Sequence, residues 1–296
     1  MPSIHDIKSR INSIKDTRQI TNAMKLISSA KLKRARQQLE STLPYFNEVW
    51  GTIGDILLHL GAENSLFFAT GQEEERQKKA FLVLSGDKGL AGSYNQNIVK
   101  LTEEKLKTNP QVILFVAGHI GKNYLTKRNY RVKVDFEHPV QNPTVPRALE
   151  IARTIHQAFI SGEIDEISLI CTKLITPLKM EPQFLKLLPL DPQTFNIDIQ
   201  TGIASQGYIP FEELIYEPSH EVVLDVLVKK YLKGIIYGAL VEAFTCEQSA
   251  RIAAMDSATT NADELLEKLN LAYNSARQAA ITQELSEIVA GAEALK

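Results

Sequence analysis

The sequence predicts an α/β chain in two parts: a long antiparallel coiled coil of N- and C-terminal helices, and between them an α/β domain with a largely parallel sheet. Three observations predict it. After Pro218 there is no further proline, and glycine recurs only as Gly234, Gly238 and Gly291, so a helix from Ser219 to about Ala290 meets few breaks. Within it, Ala258, Ala262, Leu265, Leu269, Ala272, Ala276 and Ala279 alternate spacings of four and three, the seam along which a second helix lies. The middle of the chain changes rhythm, alternating short apolar runs with helical stretches.

At about 1.5 Å per residue the C-terminal helix would be on the order of 110 Å long, and a lone helix with one apolar seam is marginal in water. It needs a partner. Residues Ser3 to about Leu60 supply one, with Ser3 as N-cap and a seam of Ile4, Ile7, Ile11 and Ile14. The seam then shifts phase to Ile20, Ala23, Met24, Ile27 and Ala30. Pro44 should kink this helix or divide it in two, Gly51 and Gly54 weaken its far half, and Gly61 marks its end. The longer C-terminal helix should overhang its partner. Two helices folded onto a globular core is the competing arrangement, and the alanine-rich seam argues against it.

Between them the expected parts are a linker over 62–78, carrying Glu73-Glu74-Glu75, and a domain over 79–218. Strands are expected at Ala80–Leu84, Val112–Ala117, Arg131–Phe136, Ile167–Ile175 and Gln183–Leu188. Helices are expected at Gln96–Lys107, Ile120–Arg128 and Pro146–Ile160. This alternation is Rossmann-like. The punctuated stretch from Pro189 to Pro218 returns the chain to the last helix, over 219–296.

Composition sets bounds. The 296 residues are 44% apolar and 23% charged, enough for a real core. The formal net charge of −2 conceals an asymmetry. From Arg18 to Arg36 the bases Arg18, Lys25, Lys31, Lys33, Arg34 and Arg36 occur without one acid, whereas Ser219–Lys296 is net acidic. Cys171 and Cys246 make no disulfide framework or metal cluster, which suits a reducing compartment. No signal peptide is visible, and the apolar run around Gly234 and Gly238 is too short to span a bilayer, so those glycines are expected to serve close helix packing.

Candidate chemistry is thin. Ser85-Gly86-Asp87-Lys88-Gly89-Leu90-Ala91-Gly92 follows a strand and precedes a helix, where a phosphate loop would sit, but its glycines are spaced wrongly for dinucleotide binding. An exposed docking turn fits better. Gly118-His119-Ile120-Gly121-Lys122 has two residues between its glycines and Asn123 after the lysine, so it fails as a P-loop. The histidines His5, His59, His119, His138, His156 and His220 have no metal-ligand spacing. No metal site, cofactor site or catalytic residue is expected. The basic stretch from Arg18 to Arg36 could grip RNA phosphates or meet an acidic protein surface, and composition leaves both open; no aromatic between Ile4 and Leu43 is there to stack on bases.

Three motifs carry a resemblance. Ile20-Thr21-Asn22-Ala23-Met24-Lys25-Leu26-Ile27-Ser28-Ser29-Ala30-Lys31-Leu32, the turn Ser85–Gly92, and Asn274-Ser275-Ala276-Arg277-Gln278-Ala279-Ala280-Ile281-Thr282-Gln283-Glu284-Leu285 resemble, in order, the gamma subunit of F-type ATP synthases. Gly86 stands where many relatives carry Ser or Thr, and Ala91 where many carry Cys. No cysteine-pair insert like that of the plastid form is seen, so thiol regulation is not expected.

The resemblance implies a non-catalytic rotor shaft, one copy per complex, inside three alpha and three beta subunits, with an epsilon subunit alongside and a membrane c-ring below. ATP, ADP and magnesium would then be bound by the alpha and beta subunits. The chain would lie at the cytoplasmic face of the cell membrane, held through other subunits with no direct insertion and no nucleic acid. It further implies that Met24, Lys25, Lys31, Lys33, Arg34 and Arg36 face the acidic lower lobes of the beta subunits. Gly86, Asp87, Lys88, Gly89 and Leu90 would touch the complex from the mid-domain turn. Arg277, Gln278 and Thr282 would bond to upper beta loops, and Ile281, Leu285, Ile288, Val289 and Leu295 would form an apolar pivot. A self-standing α/β protein with an RNA-gripping arm is the alternative.

Overall fold

The computed structural model describes residues 3–60, 67–68, 78–109, 111–136, 140–176, 179–191, 217 and 219–294, excepting the side chains of 55, 58–60, 135, 220–221 and 291–294. The Glu73-Glu74-Glu75 run, most of the expected linker and of the 189–218 stretch, and Leu295 lie outside the described residues.

Helix α1 runs Ile4–Leu60, and Ser3 caps it as expected: the Asp6 N–H donates to Ser3 Oγ at 3.1 Å while the Ser3 N–H donates to Asp6 Oδ2 at 3.2 Å. Pro44 does not divide the helix, which passes through it. The proline is exposed, so water can take the carbonyl its missing N–H leaves open. The remaining elements are β1 (Lys79–Leu84), α2 (Tyr94–Thr108), β2 (Ile113–Ala117), α3 (His119–Lys127), β3 (Val132–Phe136), α4 (Val145–Ile160), β4 (Glu166–Thr176), β5 (Lys179–Leu188) and α5 (His220–Ala294).

Packing divides the chain into two compact units, Met1–Ala30 with Arg251–Lys296, and Lys31–Ala250. The first is an antiparallel helix pair. As the α1 partner advances through Arg18, Thr21 and Lys25, the α5 partner retreats through Asp263, Thr259 and Asp256. Ile7 and Ile11 bury against Leu266, with Ile14, Leu269, Tyr273 and Ala276 around them. This corrects both expected seams. On α5, Ala262, Leu269 and Ala276 face inward, but Leu265 is 48% exposed and Ala272 and Ala279 are also outside, their places taken by Leu266, Tyr273 and Ala280. On α1 there is no phase shift into Ile20 and Ile27, which are 60% and 56% exposed. The buried positions there are polar, Thr21 and Ser28.

The second unit holds the sheet, in order β3-β2-β1-β4-β5, parallel from β3 to β4 and antiparallel at β5. Strand β5 is longer than expected because Pro182 lies within it. An edge strand tolerates a proline whose missing N–H would have faced solvent. Helices α2 and α3 cover one face, with Ile98, Leu106 and Leu125 against Phe81, Leu114 and Val116. On the other face α4 joins the Lys31–Leu60 part of α1 and the His220–Ala250 part of α5: Val49, Ile53, Ile151, Ile155, Leu232, Ile236 and Leu240 bury with Leu82, Leu84, Phe115 and Leu169. In this unit, therefore, the disfavoured arrangement of helices folded onto a core is the observed one. Gly234 meets the Phe46 ring closely, whereas Gly238 faces open space, so only the first glycine serves helix packing.

Candidate functional site

The loop Ser85–Gly92 leaves the carboxyl end of β1, beside β4, where the strand order reverses. In open α/β sheets that crevice receives the ligand. Here α5 fills it. The Cys246 thiol donates to the Thr172 carbonyl at 3.6 Å, and the Leu174 N–H donates to Glu242 Oε1 at 3.2 Å. A methyl placed on Gly86 would stand 3.1 Å from the Glu247 carboxyl carbon. Ala91, Tyr94 and Cys246 pack together with Leu174, Met180 and Ala250. Burial, with the Glu242 charge adding, pushes the Cys171 and Cys246 thiols up to about 12, so both stay protonated packing groups.

The N-terminus of α3 is equally occupied. Its first N–H groups find acceptors within the chain: His119 on Asp87 Oδ1 (3.1 Å), Ile120 on the Gly86 carbonyl (3.1 Å), Gly121 on Ser85 Oγ (2.9 Å) and Lys122 on the Gly118 carbonyl (3.2 Å). A bound anion would find those donors taken. The glycines that superficially suggest a phosphate loop have a packing cause: Gly118 has φ +106°, and a side chain there or at Gly121 would collide with Ser85. Asp87 Oδ2 also accepts from the Gln141 N–H at 2.7 Å, tying three loops together.

The expected turn contacts therefore divide. Gly86 and Asp87 are buried and hold the turn's shape. Lys88, Gly89 and Leu90 form its exposed surface, and Leu90, at φ +61°, is 64% exposed.

The expected basic contacts divide as well. Lys31, Lys33, Arg34 and Arg36 are exposed on α1. Met24 is half-buried, and Lys25 Nζ is held by Asp256 Oδ1 at 2.5 Å. With Arg18 bound to Asp263 at 2.5 Å, part of the positive stretch is matched by acids of α5. The charge asymmetry contained that signal, since α5 carries the acids α1 lacks. The apolar side chains of Ile20, Leu26 and Ile27 remain outside, a surface missed by assigning Ile20 and Ile27 to the seam.

Toward the end of α5, Arg277, Gln278 and Thr282 are all exposed, and the Thr282 hydroxyl donates back to the Gln278 carbonyl at 2.9 Å. The register of the helix pair brings Ile4 level with Ala276 and Arg277, so α5 continues to Ala294 without α1 beside it, about 27 Å of helix. Ile281, Leu285, Ile288 and Val289 are 47%, 58%, 68% and 58% exposed along it. Among the described residues no helix is long and apolar enough to cross a membrane, and no cluster of three or more His, Cys, Asp or Glu is placed to hold a metal.

A family model described as ATP synthase matches residues 3–295. The ATP synthase gamma chain of Ruminiclostridium cellulolyticum is 52% identical over 99% of both chains, and that of Acetivibrio thermocellus 49% identical over the full length of both. A sodium ion specific ATP synthase gamma chain of Acetobacterium woodii is 37% identical over 99% of each chain. The fold is shared with a chain of the Euglena gracilis mitochondrial ATP synthase (TM-score 0.68, 17% identity, 99% of this chain and 94% of that one). It is shared too with a chain of the central stalk and c-ring of the Tetrahymena thermophila mitochondrial enzyme (TM-score 0.57, 20% identity, 81% and 99%).

Proposed function

The chain belongs to the family of F-type ATP synthase gamma chains, and from that premise we propose that it is the central rotor shaft, coupling ion-driven rotation to ATP synthesis or hydrolysis on other subunits. One observation carries the reading beyond family membership: the end of α5 that runs past the start of α1, polar at Arg277, Gln278 and Thr282 and with Ile281, Leu285, Ile288 and Val289 exposed beyond. A helix end with that much exposed apolar surface is built for a sleeve. In this reading the sleeve is the hexamer of three alpha and three beta subunits. One asymmetric shaft in a ring of three beta subunits touches each differently at any moment. Only such differential contact can bias three sites toward different affinities.

The residue roles follow from exposure. Lys31, Lys33, Arg34 and Arg36 offer positive charge to acidic lower lobes without a single fixed partner, which suits a turning surface. Lys88, Gly89 and Leu90 present the mid-domain turn. Catalysis, ATP, ADP and magnesium belong to the alpha and beta subunits in this reading; that α5 fills the crevice of the sheet supports it. The chain is one copy per complex, with an epsilon subunit beside it and the c-ring beneath, peripheral at the cytoplasmic face of the membrane.

The test is to purify the native protein and identify by mass what accompanies it. Alpha and beta subunits in threefold excess are expected, and their absence would defeat the reading. In the recovered complex, Arg277→Ala should lower cooperative ATP turnover.

A further inference from the structure

In the helix pair of Met1–Ala30 and Arg251–Lys296, the seam of α1 runs Ile7, Ile11, Ile14, Arg18, Thr21, Lys25 and Ser28, alternating spacings of four and three. The seam keeps its phase and changes its chemistry, apolar as far as Ile14 and then basic or hydroxylic. One residue earlier on the same helix lies a second stripe, Ile20, Met24 and Ile27, with the same spacings. Its isoleucines are the ones left outside. Turning α1 about its axis by one residue, about 100°, would exchange the two stripes and bury the apolar one. On hydrophobic grounds that exchanged pairing is the better one. Something holds it off.

Three side-chain contacts between α1 and α5 have the geometry to do so. Arg18 Nε lies 2.5 Å from Asp263 Oδ1, and Lys25 Nζ lies 2.5 Å from Asp256 Oδ1. The two bases are one heptad apart, as are the two acids, so the pairs recur at equivalent places along the seam. Between them the Thr21 and Thr259 hydroxyls stand 2.9 Å apart. Each also reaches a carbonyl of its own helix, Thr21 that of Arg18 at 3.0 Å and Thr259 that of Met255 at 2.8 Å. Two hydroxyl protons serve this chain in either direction, with none left over. We infer that the ladder is a rotational lock: Arg18, Thr21, Lys25, Asp256, Thr259 and Asp263 are positioning residues that select the polar face of α1 for α5 and keep Ile20 and Ile27 outside. Ion pairs this open to water add little strength. Their use here is direction, as a polar residue in an apolar coiled-coil seam fixes register at a cost in stability. Turning α1 by one residue, or sliding it by one heptad, parts at least one ion pair and separates the threonines. The inference concerns the helix pair alone and does not depend on the rotor reading.

Thiol labelling of the full chain reads which face of α1 is outward. The native thiols, Cys171 and Cys246, are buried and should stay silent. A thiol placed by Ile27→Cys should react with a maleimide about tenfold faster than one placed by Ser28→Cys, since position 27 is 56% exposed and position 28 only 2%. Asp256→Lys with Asp263→Lys sets like charges against Lys25 and Arg18, and in that background the order should reverse. Adding Arg18→Asp and Lys25→Asp should restore the original order, because both pairs re-form with their signs exchanged. Should the charge-reversed chain lose its helical circular dichroism, Thr21→Val with Thr259→Val keeps the shape and removes the hydroxyl chain. That variant should narrow the difference between the two positions by about threefold. An unchanged difference in either background, or no return on exchanging the signs, would overturn the inference. So would equally fast labelling at both positions after charge reversal, which would mean that the contacts hold the helices together without choosing a face.

Discussion

Asp87 does for α3 what a bound anion does for helices that begin at phosphate loops: it accepts from the His119 N–H and, with its second oxygen, from the Gln141 N–H. Asp87→Ala leaves two part-buried donors without their acceptor, and a loss of about 1–3 kcal/mol is expected, read from urea unfolding. Asp87→Asn should recover part of it, because one carbonyl oxygen remains. His156 makes a second prediction. Its ring stacks on Phe67, and its Nε2 lies 3.6 Å from Asp225 Oδ1. Burial, then the nearby Lys229 charge, holds it below the usual value of 6.5, against the opposing pull of Asp225. The unfolded chain therefore takes up the proton first on acidification. The contribution is present in full above 6.5 and is lost as pH falls through the lowered folded value. The unfolding midpoint should fall as pH is lowered from 6.5, and His156→Gln should flatten that slope. An equal slope in both proteins would sink the assignment.

Among the elements, strands and short helices were legible to within about two residues, because alternation and turn residues mark their ends; β5 is the exception, starting at Lys179 rather than Gln183. The long helices were legible in extent but not in facing. Each carries apolar residues on two sides, one turned to its partner and one to the outside, and both repeat at helical spacing. Periodicity alone cannot rank two stripes that share a period. The deciding residues were polar: Thr21 bonded to Thr259 at 2.9 Å and buried Ser28 lie in the seam where Ile20 and Ile27 do not. Of the candidate site, the run of bases stood out by charge alone and the Arg277–Thr282 stretch by motif resemblance, and the structure shows Lys31, Lys33, Arg34, Arg36, Arg277, Gln278 and Thr282 exposed. The pairing of Lys25 and Arg18 with Asp256 and Asp263 was not, since it depends on register between residues far apart in sequence. The register makes a sharp comparison. Leu266→Ala removes a side chain 8% exposed and should cost about 2 kcal/mol, whereas Leu265→Ala, its neighbour at 48%, should cost less than about 0.5 kcal/mol. Thermal unfolding of both variants decides which leucine faces α1.

At the scale of the whole chain the apolar surface is on the wrong side for a protein that works alone. Ile20, Leu26 and Ile27 on α1 and Ile281, Leu285, Ile288 and Val289 on α5 are all more than 45% exposed, while the seam beside the first set buries Thr21 and Ser28. A helix pair optimised for its own stability would place them the other way round. On the proposed function, that outward surface exists to be covered by other chains. Replacing Ile281, Leu285, Ile288 and Val289 with glutamine separates the two possibilities. If the tip serves only this chain, unfolding temperature should drop and association should not change. On the rotor reading the unfolding temperature stays within a few degrees, because these side chains have no α1 beside them and each contributes little while exposed. Self-association of the isolated chain, followed by light scattering, should fall as the apolar patch disappears. ATP-driven ion transport by the assembled complex should fall too, since the pivot has lost the contact it makes with its sleeve. Loss of transport with unchanged unfolding is the expected outcome, and full transport with a polar tip would show that the end of α5 is not a bearing surface.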